Sequence, residues 1–478
     1  MEDTTEETTI EVSGGHNQVA ASVGHQVQNF YGDQFAEKLL HSREHPITVV
    51  VTGPEVDTPL GIPIPQNLIP RIADYLTTDE GKAVDAALRK AIGRVHFHFD
   101  KFVEKAIDNL AKNLDSELLD ICRNVTAELD RNTSLSDDHR KLGRLVLRLF
   151  HKIIEVKENA SIDPETEALI GEVLGTVVSD EAIIDFSRLS YTGTFKTIIT
   201  EILQRSIHEH ENPILRHVYR NILDIRQLLS RYFYGFYEGR DNNIRDYMYI
   251  SWMLWAYLVS EEQRIASQAV AGVTDAMPGV YSCLQDKEHM QLVTFCYTTF
   301  ASRCAQDALY FHGQLTDYVD VENKNDIHLD DILHLDLVDF FETRLSREIS
   351  FGDKEFGIRR ALPIPSFLPP LKLMPVISQR YIDAWYKTGE MLRHAERIML
   401  LGCTPDILDG YFADMLRQSE AREIVVTASD LHHVSRHLST IFQLAPDAYT
   451  LCEYAGHTAR KYHNRITVVE ASPADILQ

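Results

Sequence analysis

The stretch ITVVVTGPEVDTPLGIPIP, residues 47–65, decides how the rest of the chain is interpreted. It begins with a continuous run of mostly β-branched residues that ends at Gly53 and Pro54. Because apolar residues follow one another without alternation, the run predicts a strand that is buried on both faces, as strands of a parallel sheet are. A sheet of this kind requires further parallel strands and covering helices elsewhere in the chain.

Five later runs share this strand-like character, and helical patterns separate most of them. They are QLVTFCY (291–297), ALYFHG (308–313), RIMLLGC (397–403), EIVVTAS (423–429) and ITVVEAS (466–472). Strands that alternate with helices indicate an α/β protein. We therefore predict a doubly wound, parallel, Rossmann-like sheet that contains the strand at 47–53 and these five runs.

The segment between the first and the second of these strands has a different character. From residue 66 to residue 285 apolar residues recur at helical spacing, as they do from Leu142 to Ile154, and Asp163-Pro164 has the form of a helix start. The sequence thus predicts that a large all-helical insertion interrupts the sheet. The expected organisation is a polar N-terminal head at 1–35, the first part of the core at 36–65, the insertion at 66–285 and the remainder of the core at 286–478.

The N-terminal head contains a short internal repeat, in which GHNQV at 15–19 returns as GHQVQ at 24–28. Valines spaced among amides and glycines are compatible with a small strand or ribbon. The same composition is compatible with a polar tail that becomes ordered only on assembly.

The composition argues against several classes of protein. A formal net charge of −24, from 71 acidic and 47 basic residues, argues against direct binding to nucleic acids or anionic membranes, because such binders need an excess of Lys and Arg. The acidic N-terminus lacks the apolar segment of a signal peptide, and the most apolar run, at 247–259, is shorter than the roughly 20 residues of a membrane span. We expect a cytoplasmic protein in which this run is a buried helix.

The cysteines and histidines indicate no metal centre. The six cysteines include no C-x-x-C pair, so neither a zinc ribbon nor a disulfide framework is expected, in keeping with a reducing cytosol. Two histidine groups, His96 with His98 and His432 with His433 and His437, have spacings compatible with metal ligands. No cysteine or carboxylate pattern flanks either group, so surface or packing roles are favoured.

The turn after the first strand is one candidate site, because ligands of open α/β sheets bind at the carboxyl ends of the strands. Gly53 would let the backbone approach a pyrophosphate, whereas Glu55 would repel phosphate if its side chain pointed inward. On spacing alone, a proline-stiffened connection explains the turn equally well.

Two further strands end in residues suited to chemistry. His312, at the end of ALYFHG, would face the same crevice, where an imidazole can act as a base near neutral pH and Gly313 leaves space for a ribose. A structural histidine that caps the strand is the alternative. In LGCTP, residues 401–405, Gly402 and Thr404 have room beside them for a ribose or phosphate, although such turns are also common connections.

Together, these three strand ends resemble the motifs of the SIR2 family, in the family's order. VVVTGPEVDTPLGIPIP is similar to the first SIR2 motif, a T-G-A-G-x-S turn followed by G-I-P. VTFCYTTF and then LYFHG resemble the strand that bears T-x-N-x-D and the catalytic H-G, and HAERIMLLGCTPDILDGYF resembles the late G-x-S-x-x-D segment. The similarity covers roughly residues 40–70 and 288–478, as scattered motifs.

The resemblance implies a site that takes NAD as its substrate and cleaves the nicotinamide–ribose bond. His312 matches the histidine that draws a proton through a ribose hydroxyl, and Cys296 stands in this catalytic region at the position of the family's asparagine. The residues that would contact NAD are Thr52, Gly53, Asp57, Gly61, Ile62, Pro63, Gly313, Gly402 and Thr404.

The chain also departs from the SIR2 pattern. Deacetylating sirtuins carry four zinc-binding cysteines after the H-G, whereas only Cys403 and Cys452 follow it here, so we expect no zinc and no protein deacylation. The sequence instead resembles the zinc-less bacterial SIR2-like effectors of antiviral defence, which consume NAD. This resemblance implies an enzyme that is held inactive until triggered, as a homo-oligomer or with a defence-system partner protein.

Four substitutions leave a second hypothesis open. Glu55 and Asp57 replace the second glycine and the serine of the first motif, Cys296 replaces the asparagine, and Thr298 stands where an aspartate is common. A carboxylate beside a pyrophosphate weakens binding unless it turns away or is protonated. The alternative is therefore a SIR2-like subunit that has lost catalysis and serves as a nucleotide sensor or a structural scaffold.

Overall fold

The computed structural model describes most of the chain. The described residues are 9–11, 18–20, 47–99, 101, 115–155, 162–175, 184–185, 190–209, 212–222, 225–237, 241–270, 280–284, 289–305, 307–353, 356–367, 377–403, 410–428, 431–445, 447–463 and 465–477.

The strands of the described residues, numbered along the chain, fall into one large sheet and several small ones. They are β1 (Thr9–Glu11), β2 (Gln18–Ala20), β3 (Thr48–Thr52), β4 (Ile184–Asp185), β5 (Ser190–Tyr191), β6 (Met290–Thr294), β7 (Leu309–Tyr310), β8 (Asp317–Asp320), β9 (Asn325–His328), β10 (Ser350–Asp353), β11 (Ile358–Ala361), β12 (Pro363–Pro365), β13 (Arg397–Leu401), β14 (Glu423–Ala428), β15 (Thr450–Tyr454), β16 (His457–Tyr462) and β17 (Ile466–Glu470).

The central sheet of the described residues has eight strands in the order β15-β16-β17-β14-β13-β3-β6-β7. The strands from β17 to β7 in this order pair in parallel, whereas β16 is antiparallel to both of its neighbours. From β3 the chain proceeds to β6 and β7 on one side and later returns to β13 and β14 on the other. The predicted α/β class and the doubly wound, mainly parallel sheet are therefore confirmed.

The predicted strands form because their apolar runs supply both faces of the sheet. Val49, Val50 and Val51 of β3 are completely buried, as are Ile424, Val425 and Val426 of β14. The sequence analysis missed β15 and β16. Most of their residues are exposed or only partly buried, so neither strand has the continuous apolar run of the central strands.

The helices of the described residues cover the sheet and fill the long segment between β3 and β6. They are α1 (Leu68–Tyr75), α2 (Asp79–Ile92), α3 (Asp115–Arg131), α4 (Asp137–Glu155), α5 (Pro164–Leu174), α6 (Gly193–His208), α7 (Pro213–Ile222), α8 (Ile225–Tyr237), α9 (Asp241–Val270), α10 (Val280–Leu284), α11 (Phe300–Cys304), α12 (Leu337–Asp339), α13 (Ser346–Glu348), α14 (Gln379–His394), α15 (Gly410–Gln418), α16 (Leu431–Phe442) and α17 (Pro473–Leu477). Short 3-10 helices cover Pro54–Leu60 and Pro65–Asn67, and a π-helix, Phe340–Leu345, joins α12 to α13.

The segment between β3 and β6 is mostly helical, as expected, but it is not entirely helical. The short antiparallel pair β4 and β5 lies within it. The predicted start of a helix at Asp163 is confirmed, because its carboxylate accepts a hydrogen bond of 2.9 Å from the backbone N–H of Thr166. The domain boundaries at 35, 65 and 285 remain a prediction.

The longest helix, α9, packs directly against the second half of the chain. Trp252 donates its indole N–H to the carbonyl of Pro363 at 3.0 Å, and Trp255 donates to the carbonyl of Leu315 at 2.7 Å. The apolar run at 247–259 is buried throughout, which confirms the predicted buried helix. Within the described part of the chain, no helix combines the length and the apolarity that crossing a membrane would require.

Candidate functional site

The predicted site residues converge because the parallel strands end at the same level. Thr52 pairs with Thr294 on one side and with Leu401 on the other, and Thr294 pairs with Tyr310. The turns that follow β3, β6, β7 and β13 therefore share one edge of the sheet. The chain reverses its winding direction between β3 and β13, and ligands of doubly wound sheets bind in the crevice at such a switch point.

The turns after β3 and β13 lie against each other so closely that both require glycine. A Cβ atom on Gly53 would lie 2.2 Å from the carbonyl oxygen of Gly402. Gly402 has a φ of 60°, and a Cβ atom there would lie 2.9 Å from the backbone nitrogen of Val56. The space beside each of these two glycines is therefore filled by backbone atoms of the neighbouring turn, and not left open for a pyrophosphate.

The side chain of Thr52 also faces the interior. Its hydroxyl donates a 2.9 Å hydrogen bond to the hydroxyl of Thr294, and both residues are completely buried. Gly61 ends the 3-10 helix Pro54–Leu60, and Ile62 packs into the core. Thr52, Gly61 and Ile62 thus shape the turn, Pro63 is partly exposed beside them, and Thr404 lies outside the described residues.

Asp57 is the most distinctive residue of the turn, because the 3-10 helix directs its carboxylate into the protein. The residue is 1% exposed. The hydroxyl of Tyr281 donates to Oδ1 at 2.6 Å, and the hydroxyl of Thr298 donates to Oδ2 at 2.5 Å. Both carboxylate oxygens are thus engaged beneath the turn, which corrects the expectation that Asp57 contacts a bound dinucleotide directly.

Two residues at which the sequence departs from the motifs it resembles contact each other. The resemblance predicted a serine at position 57 and an aspartate at position 298, whereas this chain has Asp57 and Thr298. These two side chains are hydrogen bonded to each other. The sequence contained this signal only when both substitutions were considered together.

Burial controls the protonation of this cluster. Burial raises the pKa of Asp57 to about 6, although hydrogen bonds from Thr298, Tyr281 and the Cys296 thiol oppose this shift. Burial, followed by the nearby charge of Asp57, raises the pKa of Cys296 well above its ordinary range. Cys296 is therefore a thiol at neutral pH, and it acts as a hydrogen-bond donor rather than a nucleophile.

His312 follows β7 directly and lies at the same edge of the sheet. It is 5% exposed, and its ring packs edge-on against Phe295 and Phe311, with centroid distances of 4.8 and 5.2 Å. Trp385 donates its indole N–H to the carbonyl of Phe311 at 2.9 Å, which fixes the backbone beside His312. The imidazole is held in a defined orientation within an aromatic environment.

Gly313 does not provide the open space that the sequence analysis expected. Its φ is 92°, and a Cβ atom there would lie 1.5 Å from the carbonyl oxygen of Ser366. The backbone that follows β12 passes over this glycine and occupies the position suggested for a ribose. Gly313 is required because of this crossing and because of its left-handed conformation.

A second buried carboxylate, Glu262, lies close to Asp57 and has no counterpart in the sequence-based predictions. Glu262 belongs to α9 and is completely buried. It accepts hydrogen bonds from the backbone N–H and the hydroxyl of Thr299, both at 2.7 Å. Burial raises its pKa to about 7, and the charge of Asp57 contributes in the same direction. An isolated glutamate in a helix gives no sequence signal of such a role.

The described residues contain no cluster of three or more histidine, cysteine or acidic side chains arranged to hold a metal ion. All six cysteines are free thiols.

No protein-family model matches the chain, and no curated protein matches it. Among solved structures, a Sir2 mutant determined with a p53 peptide and NAD matches with 14% sequence identity and a TM-score of 0.23, covering 36% of this chain and 69% of that chain.

Proposed function

We propose that this chain binds NAD at the carboxyl edge of its central sheet and hydrolyses the nicotinamide–ribose bond. The observation that carries the proposal is the position of His312. It follows β7 at the edge where the sheet reverses its winding between β3 and β13, and a dinucleotide bound at that switch point would lie along this edge.

The proposed reaction joins NAD and water to give nicotinamide, ADP-ribose and a proton. The bond between the ribose anomeric carbon and the nicotinamide nitrogen breaks, and its electron pair remains on the nitrogen. The oxygen of water forms the new bond to the anomeric carbon. His312 would accept a proton through a ribose hydroxyl while positive charge develops at that carbon, which is a task for a base held in one orientation.

One of the two carboxylates in the turn does not oppose an anionic ligand. Asp57 turns away from the crevice, and both of its oxygens accept hydrogen bonds from Tyr281 and Thr298. A pyrophosphate above the turn would therefore not meet the Asp57 carboxylate, whereas the partly exposed Glu55 would have to point away from it. This answers the main electrostatic objection that the sequence raised at position 57.

The biological role we propose is that of an effector in a bacterial antiphage defence system. Such an enzyme would be inactive until triggered, because uncontrolled NAD hydrolysis harms the host cell. The contacts of α9 with the residues around Asp57 support control through the helical segment, since a partner that moves this helix would alter the site. A closed homo-oligomer or a partner protein would supply that control.

A second function, a nucleotide-sensing or scaffold subunit without catalysis, is favoured by one observation. His312 is nearly inaccessible and surrounded by Phe295 and Phe311, as a structural histidine would be. On this hypothesis NAD binds without being cleaved, and the binding alters assembly.

The deciding experiment compares His312→Ala with His334→Ala, a substitution of a histidine whose side chain is 84% exposed. Purified variants are incubated with NAD, with and without proteins encoded by neighbouring genes, and released nicotinamide is measured. We expect His312→Ala to lower turnover by about 10²–10⁴-fold, with NAD binding retained, whereas His334→Ala leaves turnover unchanged. NAD binding without nicotinamide release by the unmodified protein would support the scaffold function instead.

A further inference from the structure

Glu262 links the long helix α9 to the turn that follows β6. Its carboxylate accepts hydrogen bonds from the backbone N–H and from the hydroxyl of Thr299. Arg303, in α11, forms an ion pair with the same carboxylate at a distance of 3.3 Å. Glu262 is completely buried, so it adopts this arrangement without competition from solvent. The turn and the helix are thus joined by three polar contacts to one side chain.

The residue held by Glu262 directly follows the partner of Asp57. Thr298 donates its hydroxyl to Asp57, and its carbonyl accepts a 2.9 Å hydrogen bond from the hydroxyl of Tyr310. Thr298 and Thr299 therefore form one short turn with three attachments: Asp57 after β3, Tyr310 in β7 and Glu262 in α9. A displacement of any of the three would change the contact with Asp57.

The charged and titratable groups around Glu262 come from several elements. Arg303 of α11 favours its ionised form, whereas Asp57 opposes that form. Tyr310 of β7 is affected by the charge of Glu262, and its own pKa is raised, mainly by burial. On α9 itself, the neighbouring Glu261 pairs with Arg264. Two buried carboxyl groups, Glu262 and Asp57, thus interact across the Thr298–Thr299 turn.

We propose that Glu262 is a positioning residue that holds the Thr298–Thr299 turn against Asp57, so that the hydrogen bond from Thr298 to Asp57 depends on the placement of α9. The inference rests on the proposed function only for its turnover measurement. Its structural part, the coupling between Glu262 and Asp57, is independent of any reaction.

The structural part is tested by a double-mutant cycle with Glu262→Gln, Asp57→Asn and the double variant in the full chain. Unfolding is measured at pH 5 and at pH 7.5. We expect the two substitutions to be clearly non-additive at pH 7.5, where both carboxyl groups are ionised to a large extent, and nearly additive at pH 5. Additivity at both pH values would overturn the inference, whatever the protein does with NAD.

The functional part is tested by the pH profile of NAD turnover. Burial and the charge of Asp57 raise the pKa of Glu262 to about 7, so a limb of the profile near pH 7 that reports Glu262 should be lost in Glu262→Gln. The matched control is Glu261→Gln, which removes a carboxylate from the adjacent position and should leave the profile unmoved. Equal profiles for Glu262→Gln and Glu261→Gln would contradict the positioning role.

Arg303→Gln serves as a second variant if Glu262→Gln does not fold. Its side chain is 33% exposed, so the substitution is tolerated more readily than a change in the core. Without the guanidinium the pKa of Glu262 rises further, so the limb of the profile that reports Glu262 should move to higher pH. A non-additive cycle combined with an absence of nicotinamide release would refute the proposed hydrolase and leave the coupling intact.

Discussion

Replacing Asp57 with asparagine should reduce the pH dependence of the protein's stability by an amount that the structure allows us to work out. Burial raises the pKa of this carboxyl from its ordinary 3.8 to about 6. The folded protein therefore holds the proton more tightly than the unfolded chain. Stability contributed by this group is greatest at low pH, falls as the pH rises from 3.8 to about 6, and stays constant above that.

The difference between these two values corresponds to about 3 kcal/mol, at about 1.36 kcal/mol for each pKa unit. About 1.4 kcal/mol of this loss falls between pH 5 and pH 7.5, because an unfolded aspartate is already mostly ionised at pH 5. The substituted asparagine has no charge to bury, and its amide can still bond the hydroxyls of Tyr281 and Thr298. Relative to the unmodified protein, Asp57→Asn should thus gain about 1.4 kcal/mol of stability between these pH values.

Urea unfolding followed by tryptophan fluorescence is a suitable assay, since all three tryptophans are buried. The free energy of unfolding is compared between the two proteins at each pH, so groups that titrate alike in both, such as the histidines, cancel. Glu262, whose pKa the Asp57 charge raises, adds to the expected difference in the same direction. Asp414→Asn, at a surface position, is the matched control and should parallel the unmodified protein. If Asp57→Asn also parallels the unmodified protein across this range, the carboxyl is not held in the buried, proton-retaining state described here.

Further predictions concern the packing and the hydrogen bonds of the site. Gly53→Ala should destabilise the protein by about 3 kcal/mol because the new methyl group meets the Gly402 carbonyl. Gly171→Ala, in open space within α5, should instead stabilise the protein by about 0.5–1 kcal/mol. Thermal unfolding of the two variants measures both changes in stability. Thr298→Val should lower the free energy of unfolding by about 1–3 kcal/mol at pH 7.5, because it leaves a buried Asp57 oxygen without its hydrogen-bond donor. A smaller decrease in urea unfolding would contradict this prediction. Cys296 should resist thiol reagents in the folded protein at pH 8 and react after unfolding, as mass spectrometry of the labelled peptide would reveal.

The sequence predicted the elements whose burial is continuous along the chain. The β-branched run of β3 and the run of β14 are recognisable because each residue in them meets a neighbouring layer. The antiparallel strands β15 and β16 were missed because most of their residues are exposed or only partly buried, so neither contains such a run. Local pattern therefore revealed the parallel strands of the sheet and not the antiparallel pair beside them.

The candidate site was predictable only in part, because its contacts join distant segments. The strand ends that carry Gly53, His312 and Gly402 were identified from local motifs. The reasons these glycines are needed were not, since they depend on which backbone passes over them. The contact between Asp57 and Thr298 spans 241 residues, and Glu262 reaches the same turn from a helix with no distinguishing pattern.

The pairing of β3 with β6 has a consequence for how the chain folds during synthesis. These two strands are hydrogen-bonded neighbours, yet roughly 240 residues separate them. At about 5–20 residues per second, a ribosome needs on the order of ten to fifty seconds to reach β6 after completing β3. During that time the valine-rich β3 lacks its neighbour β6, and it lacks its other neighbour, β13, for longer still. We expect the nascent chain to depend on chaperones in this interval, because an unpaired apolar strand is prone to aggregation.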